Sequence, residues 1–191
     1  MEKETKEVSF TYDILSKFDD ELAHDFIKWC LDVEEVNEEL LTVHDVNVLP
    51  DVIININSEG GSVQSLFDML SALTILPNRV VIRGFGMVAS SALFFYLIAG
   101  DVRMATKYTE FLYHNMSYCV DQVNLETHRR ILKDSDKLQE KIDKLLVENS
   151  NITLKQLKKK KNEDWIMDYK EAIELGIVNY TGNMRNLYES E

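Results

Sequence analysis

Val52, Ile54 and Ile56 take every second position of D-V-I-I-N-I-N, Asp51 to Asn57. A period of two built from branched side chains predicts a β-strand. Ser58, Glu59, Gly60 and Gly61 break it. From Ser62 the period lengthens, and Val63, Leu66, Phe67, Leu70 and Leu73 share one helical face until Pro77 and Asn78 end it. R-V-V-I, Arg79 to Ile82, returns to the strand pattern. Strand, helix and strand at this length predict a parallel βαβ crossover, normally right-handed. Glycines at 84 and 86 then mark a sharp bend. Ala89, Ser90, Ser91 and Ala92 open an apolar helix that runs to near Gly100, and a further strand ends in F-L-Y-H, Phe111 to His114.

The flanks are read in the same way. Val8 to Tyr12 suits a short first strand. Asp19 or Asp20 suits the N-cap of a helix with Leu22, Phe26, Trp29 and Val33 on one stripe. Glu34 to Leu49 shows no clear period. After His114 the character changes. Leu125 to Asn149 is long and polar, with a sparse seam at Ile131, Leu138, Ile142 and Leu145. Such a helix is expected to project and to pack on one edge or on a neighbouring subunit. Thr153 caps a short helix ending in Lys158 to Lys161, basic residues that suit a helix C-terminus. Asp168 and Glu171 make a capping pattern for a last helix, Gly176 stops it, and Ile177 to Tyr180 reads as strand-like. The alternation is that of an α/β domain.

Composition narrows the picture. A chain of 191 residues suits one domain with its own core. A formal net charge of −12 argues against nucleic-acid binding. The longest apolar run, Met87 to Ala99, is too short and too rich in small residues to span a bilayer. Residues 1–7 are charged and unlike a signal peptide, so Cys30 and Cys119 read as reduced thiols of a cytoplasmic protein. No metal-ligand cluster or phosphate loop is evident, so no metal and no cofactor is expected.

The bend before the apolar helix carries the candidate chemistry. A hydroxyl at a helix's first turn lies beside unpaired N–H groups. Ser90 there is either a cap or a nucleophile, and the segment alone leaves both open. Hydrolysis of an acyl bond needs an imidazole to take the hydroxyl proton and two N–H donors for the oxyanion. Gly61, Ser90 and His114 all lie at or just past expected strand ends, the edge where parallel α/β sheets bind ligands. His24, His44 and His128 read as surface residues. Cys119 lacks a sharp turn to present it, and Phe94, Phe95 and Tyr96 read as helix packing.

Four motifs stand in order: I-N-S-E-G-G-S (Ile56 to Ser62), G-M-V-A-S (Gly86 to Ser90), Y-H-N (Tyr113 to Asn115) and D-W-I-M-D-Y-K-E-A-I-E-L-G-I-V-N (Asp164 to Asn179). Together they resemble the proteolytic subunit of Clp-type ATP-dependent serine proteases, over roughly residues 50–180. The resemblance implies a Clp protease/crotonase-like α/β fold of repeated ββα units in one domain, 1–191. Its head would span about 8–118 and 164–185, and a projecting handle helix about 121–150. It implies a serine endopeptidase acting inside an oligomeric chamber, with Ser90 as nucleophile and His114 as general base. Gly61 and the N–H of Ser91 match the oxyanion hole. Family members form closed, stacked homo-oligomeric rings and take unfolded chains from a partner AAA+ ATPase. The charged segment before Val8 offers no apolar docking residues for such a partner.

Three departures qualify the match. Glu59 stands where the family has proline. About one extra residue lies between Ser90 and Gly100, and one residue is about 100° of helix rotation, which makes Ser91 an alternative nucleophile. Asn179 occupies the slot of the triad aspartate, and an amide brings no charge to the histidine; in a serine protease of another fold that exchange costs about 10⁴ in turnover. Slow or conditional chemistry is the expectation. Two other readings follow: a catalytically weak or inactive ring subunit with a structural role, and a crotonase-type acyl-CoA enzyme. The last ranks lowest, because such a site needs no Ser90/His114 pair.

Overall fold

The structure is a computed structural model that describes residues 9–44, 46–117, 124–160 and 163–182. Strands β1 (Phe10–Ile14), β2 (Val52–Ser58) and β3 (Val80–Ala89) lie side by side and parallel. Helices α1 (Asp20–Thr42) and α2 (Val63–Leu73) make the crossovers between them. Asp19 caps α1 by accepting from the Leu22 N–H at 3.0 Å. The buried stripe of α1 is Leu22, Ala23, Phe26, Cys30 and Val33. It lies one position from the expected one at Cys30, because Trp29 sits at the rim against Tyr12, 5.1 Å between ring centroids. Burial pushes the Cys30 thiol up to about 12.

The second half of α1, where the sequence shows no period, is helical as far as Thr42. Its inward residue there is polar. Asn37 is buried, donates to Asn78 Oδ1 at 2.6 Å, and Asn78 donates in turn to the Pro50 carbonyl at 2.8 Å. An amide pair does what an apolar stripe does elsewhere, so hydropathy gives no signal.

The bend expected at Gly84–Gly86 lies inside a strand. β3 continues through it for ten residues. Gly86 has φ 53°, and Asn57 Oδ1 accepts the Met87 N–H at 3.1 Å where the β2 register shifts between Ile56 and Ser58. The irregularity lets β3 change partners. Its first half pairs with β4 (Val102–Ala105), a short strand the sequence reading does not separate, and its second half with β5 (Glu110–Tyr113). β6 (Trp165–Met167) returns antiparallel on β5. Ile177 to Tyr180 is not a strand: the N–H groups of Asn179 and Tyr180 share the Arg103 carbonyl, each at 3.2 Å.

Helix α3 (Ser91–Ala99) is apolar all round and accordingly central, with Ala92 to Leu97 buried. Phe95 packs edge-on against Phe18 and Phe26, as does Phe94 against Tyr113, and Tyr96 lies tilted against Phe111. The long polar helix is α4 (Leu125–Glu148), capped by Asn124 at the Thr127 N–H. It buries Ile142 and Leu146 in its C-terminal half, while Leu125 and Leu132 near its start are exposed. α5 (Leu154–Lys159) has the expected Thr153 cap, completed to a capping box by Gln156, and α6 (Tyr169–Glu174) the Asp168 cap.

Arg103 of β4 ties the C-terminal ends of these helices together. Its guanidinium donates to the carbonyls of Leu97 in the last turn of α3 and Gly100 just after it, Asn149 after α4, and Gly176 and Ile177 after α6. Carbonyls at a helix C-terminus lack partners within the helix, and these bonds supply acceptor partners at three such ends. Burial lowers the guanidinium pKa. Arg103→Ala is expected to lower unfolding stability by about 2–4 kcal/mol, read as a drop in the urea midpoint. Arg103→Lys should recover only a minor part, because one ammonium cannot reach three helix ends. An unchanged midpoint for the alanine variant would remove this role.

Candidate active site

Two glycines set the first wall of the site. β2 ends at Ser58, whose hydroxyl donates to the Ser16 carbonyl at 2.6 Å and accepts the Gly60 N–H at 3.1 Å. Gly60 and Gly61 then take φ of 87° and 147°, which side-chain-bearing residues rarely adopt. A β-carbon at Gly60 would stand 2.5 Å from the Ala89 carbonyl oxygen and 2.8 Å from the Ser91 nitrogen. One at Gly61 would stand 2.3 Å from the Phe18 carbonyl oxygen. The pair is therefore clamped between the first turn of α3 and Phe18. Phe18 donates to the Gly60 carbonyl and accepts from the Ser62 N–H, each at 2.8 Å. In such a bridge the groups of the middle residue point the other way. The Gly61 carbonyl accepts from Ser91 Oγ at 2.9 Å. Neither the Gly61 N–H nor the N–H of Ser91 donates a hydrogen bond among the described residues. Glu59 is exposed and leaves this loop intact.

Ser90 faces that wall. Its backbone has φ 54° and ψ −124°, the one left-handed φ at a non-glycine position among the described residues. Such a conformation costs about 1–3 kcal/mol and recurs at functional sites. It is fixed by the Ser90 N–H, which donates to the Leu112 carbonyl at 2.9 Å. Ser90 holds the N-cap position of α3, yet its side chain accepts no cap hydrogen bond. The cap role is thus not the one it fills. Ser91 differs sharply. It is 1% exposed, and its hydroxyl is committed to the Gly61 carbonyl. This burial and bond argue against Ser91 as the alternative nucleophile and suit a brace for the glycine loop.

His114 follows β5. Ala89 pairs with Leu112 in parallel register, so His114 emerges at the same sheet edge as Ser90. Its Nδ1 lies 2.7 Å from the Asn115 carbonyl oxygen. A carbonyl only accepts, so Nδ1 carries the proton and Nε2 of the neutral ring keeps its lone pair. Among the described residues no hydrogen bond joins Ser90 Oγ to His114, and no ion pair joins His114 to a carboxylate.

Asn179 is not brought to this site. Its Oδ1 accepts the Arg103 N–H at 2.6 Å and its Nδ2 donates to the Asp101 carbonyl at 2.9 Å. Asp101 follows the Val80 end of β3, whereas Ser90 follows the opposite end. Asn179 braces β4. Phe111, Leu112 and Tyr113 pair with Met167, Ile166 and Trp165, where the ladder ends, and the next residue beyond it on each strand is His114 on one and Asp164 on the other. The sequence signal for Asp164 is present: it opens the last motif, just ahead of the short W-I-M strand pattern.

Among the described residues no group of three or more His, Cys, Asp or Glu could hold a metal ion, and no helix is long and apolar enough to cross a membrane. Cys119 and residues 1–8 lie outside the described residues.

Comparison with known proteins bears on the family and the fold. A model of the Clp protease family matches residues 13–184. The chain is 26% identical over 148 residues to ATP-dependent Clp protease proteolytic subunit 2 of Treponema denticola, covering 76% of this chain and 72% of that one. It is 24% identical to the subunit of the same name from Pseudomonas aeruginosa, covering 81% and 78%. An Asn-to-Asp mutant of ClpP1 from Listeria monocytogenes superposes with a TM-score of 0.73 at 25% identity over 88% of each chain. The sheet, the apolar helix behind Ser90 and the projecting α4 make up the Clp protease fold, and the chain belongs to the Clp protease family.

Proposed function

We propose that this protein is a serine endopeptidase in which Ser90 is the nucleophile, His114 the general base and Asp164 the orienting carboxylate. The observation that carries the reading is the strained Ser90, presented without a cap partner and packed with the Ser91 nitrogen against Gly60 of the glycine pair. Ser90 Oγ attacks a peptide carbonyl as Nε2 of His114 takes its proton. The Gly61 and Ser91 N–H groups receive the oxyanion, and His114 then protonates the leaving amine. Asp164 accepts from Nδ1–H and stabilises the imidazolium. In the present conformation the Asn115 carbonyl takes that place. Exchange of the carbonyl for the carboxylate needs a reorientation of one ring and its loop, with the sheet unchanged. Hydrogen bonds of this kind commonly tighten only when substrate is bound.

With Asp164 in the third position, the reduced activity expected from Asn179 loses its basis. The matched relatives are named as proteolytic subunits of an ATP-dependent protease. By analogy this chain works as one subunit of a homo-oligomeric ring on unfolded or peptide substrates, with an ATPase as its partner. A fluorophosphonate probe tests the site directly. It is expected to add to the assembled protein on the peptide that contains Ser90, and mass spectrometry locates the adduct. Modification of Ser91 instead, or of neither serine, would overturn the assignment.

A further inference from the structure

We infer that Gln139 and Asp143 of α4 are positioning residues for His114. The inference rests on the Ser90–His114 chemistry proposed above. Tyr113, immediately before the histidine, is 1% exposed and directs its hydroxyl at the Asp143 carboxylate at 2.8 Å. The Asn115 side-chain oxygen, immediately after the histidine, lies 3.1 Å from the same hydroxyl. Gln139 donates to Asp143 at 2.7 Å and accepts the Met116 N–H at 2.8 Å. Gln139 and Asp143 are one turn apart on one face of α4. Residues 113, 115 and 116 are thus tied to a single helix turn, and only His114 between them is left to turn.

The contacts do more than satisfy a buried phenol. Met116 lies past the end of β5, where the strand ladder no longer sets the backbone. Gln139 supplies that constraint. Asn115 is the joint of the device, because its carbonyl holds His114 Nδ1 while its side chain meets the Tyr113 hydroxyl. The path of the chain from Tyr113 to Met116 therefore decides whether Nδ1 faces Asn115 or Asp164. Burial first, and Asp143 second, raise the Tyr113 pKa, so the phenol stays a donor throughout. A cleft of about 310 Å³ beside the network, lined by Asn115, Met116, Gln139, Asp143 and Leu157 among others, leaves the loop room to shift. α4 itself is anchored through Ile142 and Leu146 while its first half is largely exposed. Any partner that displaces α4 displaces the loop with it.

The test uses Gln139→Ala, Asp143→Ala and Asp143→Asn in the full chain, each checked for unchanged oligomer mass. Hydrogen exchange across residues 113–116 is expected to accelerate in both alanine variants. Their kcat on a fluorogenic peptide should fall about 10²-fold with KM within about threefold, the signature of a misplaced reacting group rather than of lost binding. Asp143→Asn keeps an oxygen that accepts from both Tyr113 and Gln139, and should restore kcat to within about threefold of the parent. Unchanged exchange, or faster exchange with unchanged kcat, overturns the positioning role while the Ser90 chemistry stands. Full hydrolysis by Ser90→Ala overturns that chemistry and the positioning role together.

Discussion

Ser90→Ala is expected to reduce peptide hydrolysis by about 10⁶-fold, to the level left by oxyanion donors and binding alone. The substitution removes the attacking oxygen and also relieves nothing, since alanine is as strained at φ 54° as serine. The fold should therefore persist with its stability little changed. Ser91→Ala gives a different result. It deletes the hydroxyl that braces the Gly61 carbonyl, so the loop loosens and kcat falls about tenfold through misplaced N–H donors. Initial rates on one fluorogenic peptide, with oligomer mass measured in parallel, separate the two. If Ser90→Ala hydrolyses at the parent rate, another group is the nucleophile.

The second large effect distinguishes two candidates for one role. Asp164→Asn is expected to cost about 10⁴ in kcat, because an amide in that place brings no negative charge to His114 and favours the wrong tautomer. Asn179→Ala should leave kcat near the parent value and lower unfolding stability by about 1 kcal/mol, through loss of the contacts to Arg103 and Asp101. The pairing of a kinetic loss with one residue and a stability loss with the other is the expected pattern. The reverse pattern, activity kept by Asp164→Asn and lost by Asn179→Ala, returns the third position to Asn179.

Local pattern alone determined a good part of this protein. The period of two at Val52, Ile54 and Ile56, the helix after Ser62 and the caps at Asp19, Thr153 and Asp168 are properties of a few consecutive residues, and each reappears in the fold, although the buried face of that helix is Ser65, Leu66, Met69, Ala72 and Leu73, with Val63, Phe67 and Leu70 only partly buried. The places of the glycine pair after β2, of Ser90 after β3 and of His114 after β5 follow from the same local patterns. Tertiary structure decided what depends on distant partners. Ser90 and Ser91 are chemically alike and adjacent. Only the folded chain leaves Ser90 half-buried, with its N–H on the Leu112 carbonyl, and buries Ser91 with its hydroxyl on the Gly61 carbonyl. The motif from Asp164 to Asn179 carries a carboxylate at one end and an amide at the other, and its spacing does not say which end meets the histidine. The antiparallel register of β6 on β5 ends one residue short of both His114 and Asp164, which favours the carboxylate for the proposed role, while Asn179 accepts from the Arg103 N–H beyond the turn at Gly176. Periodicity records which face of an element is buried; register and long-range hydrogen bonds record which residues face each other, and only the folded chain contains them.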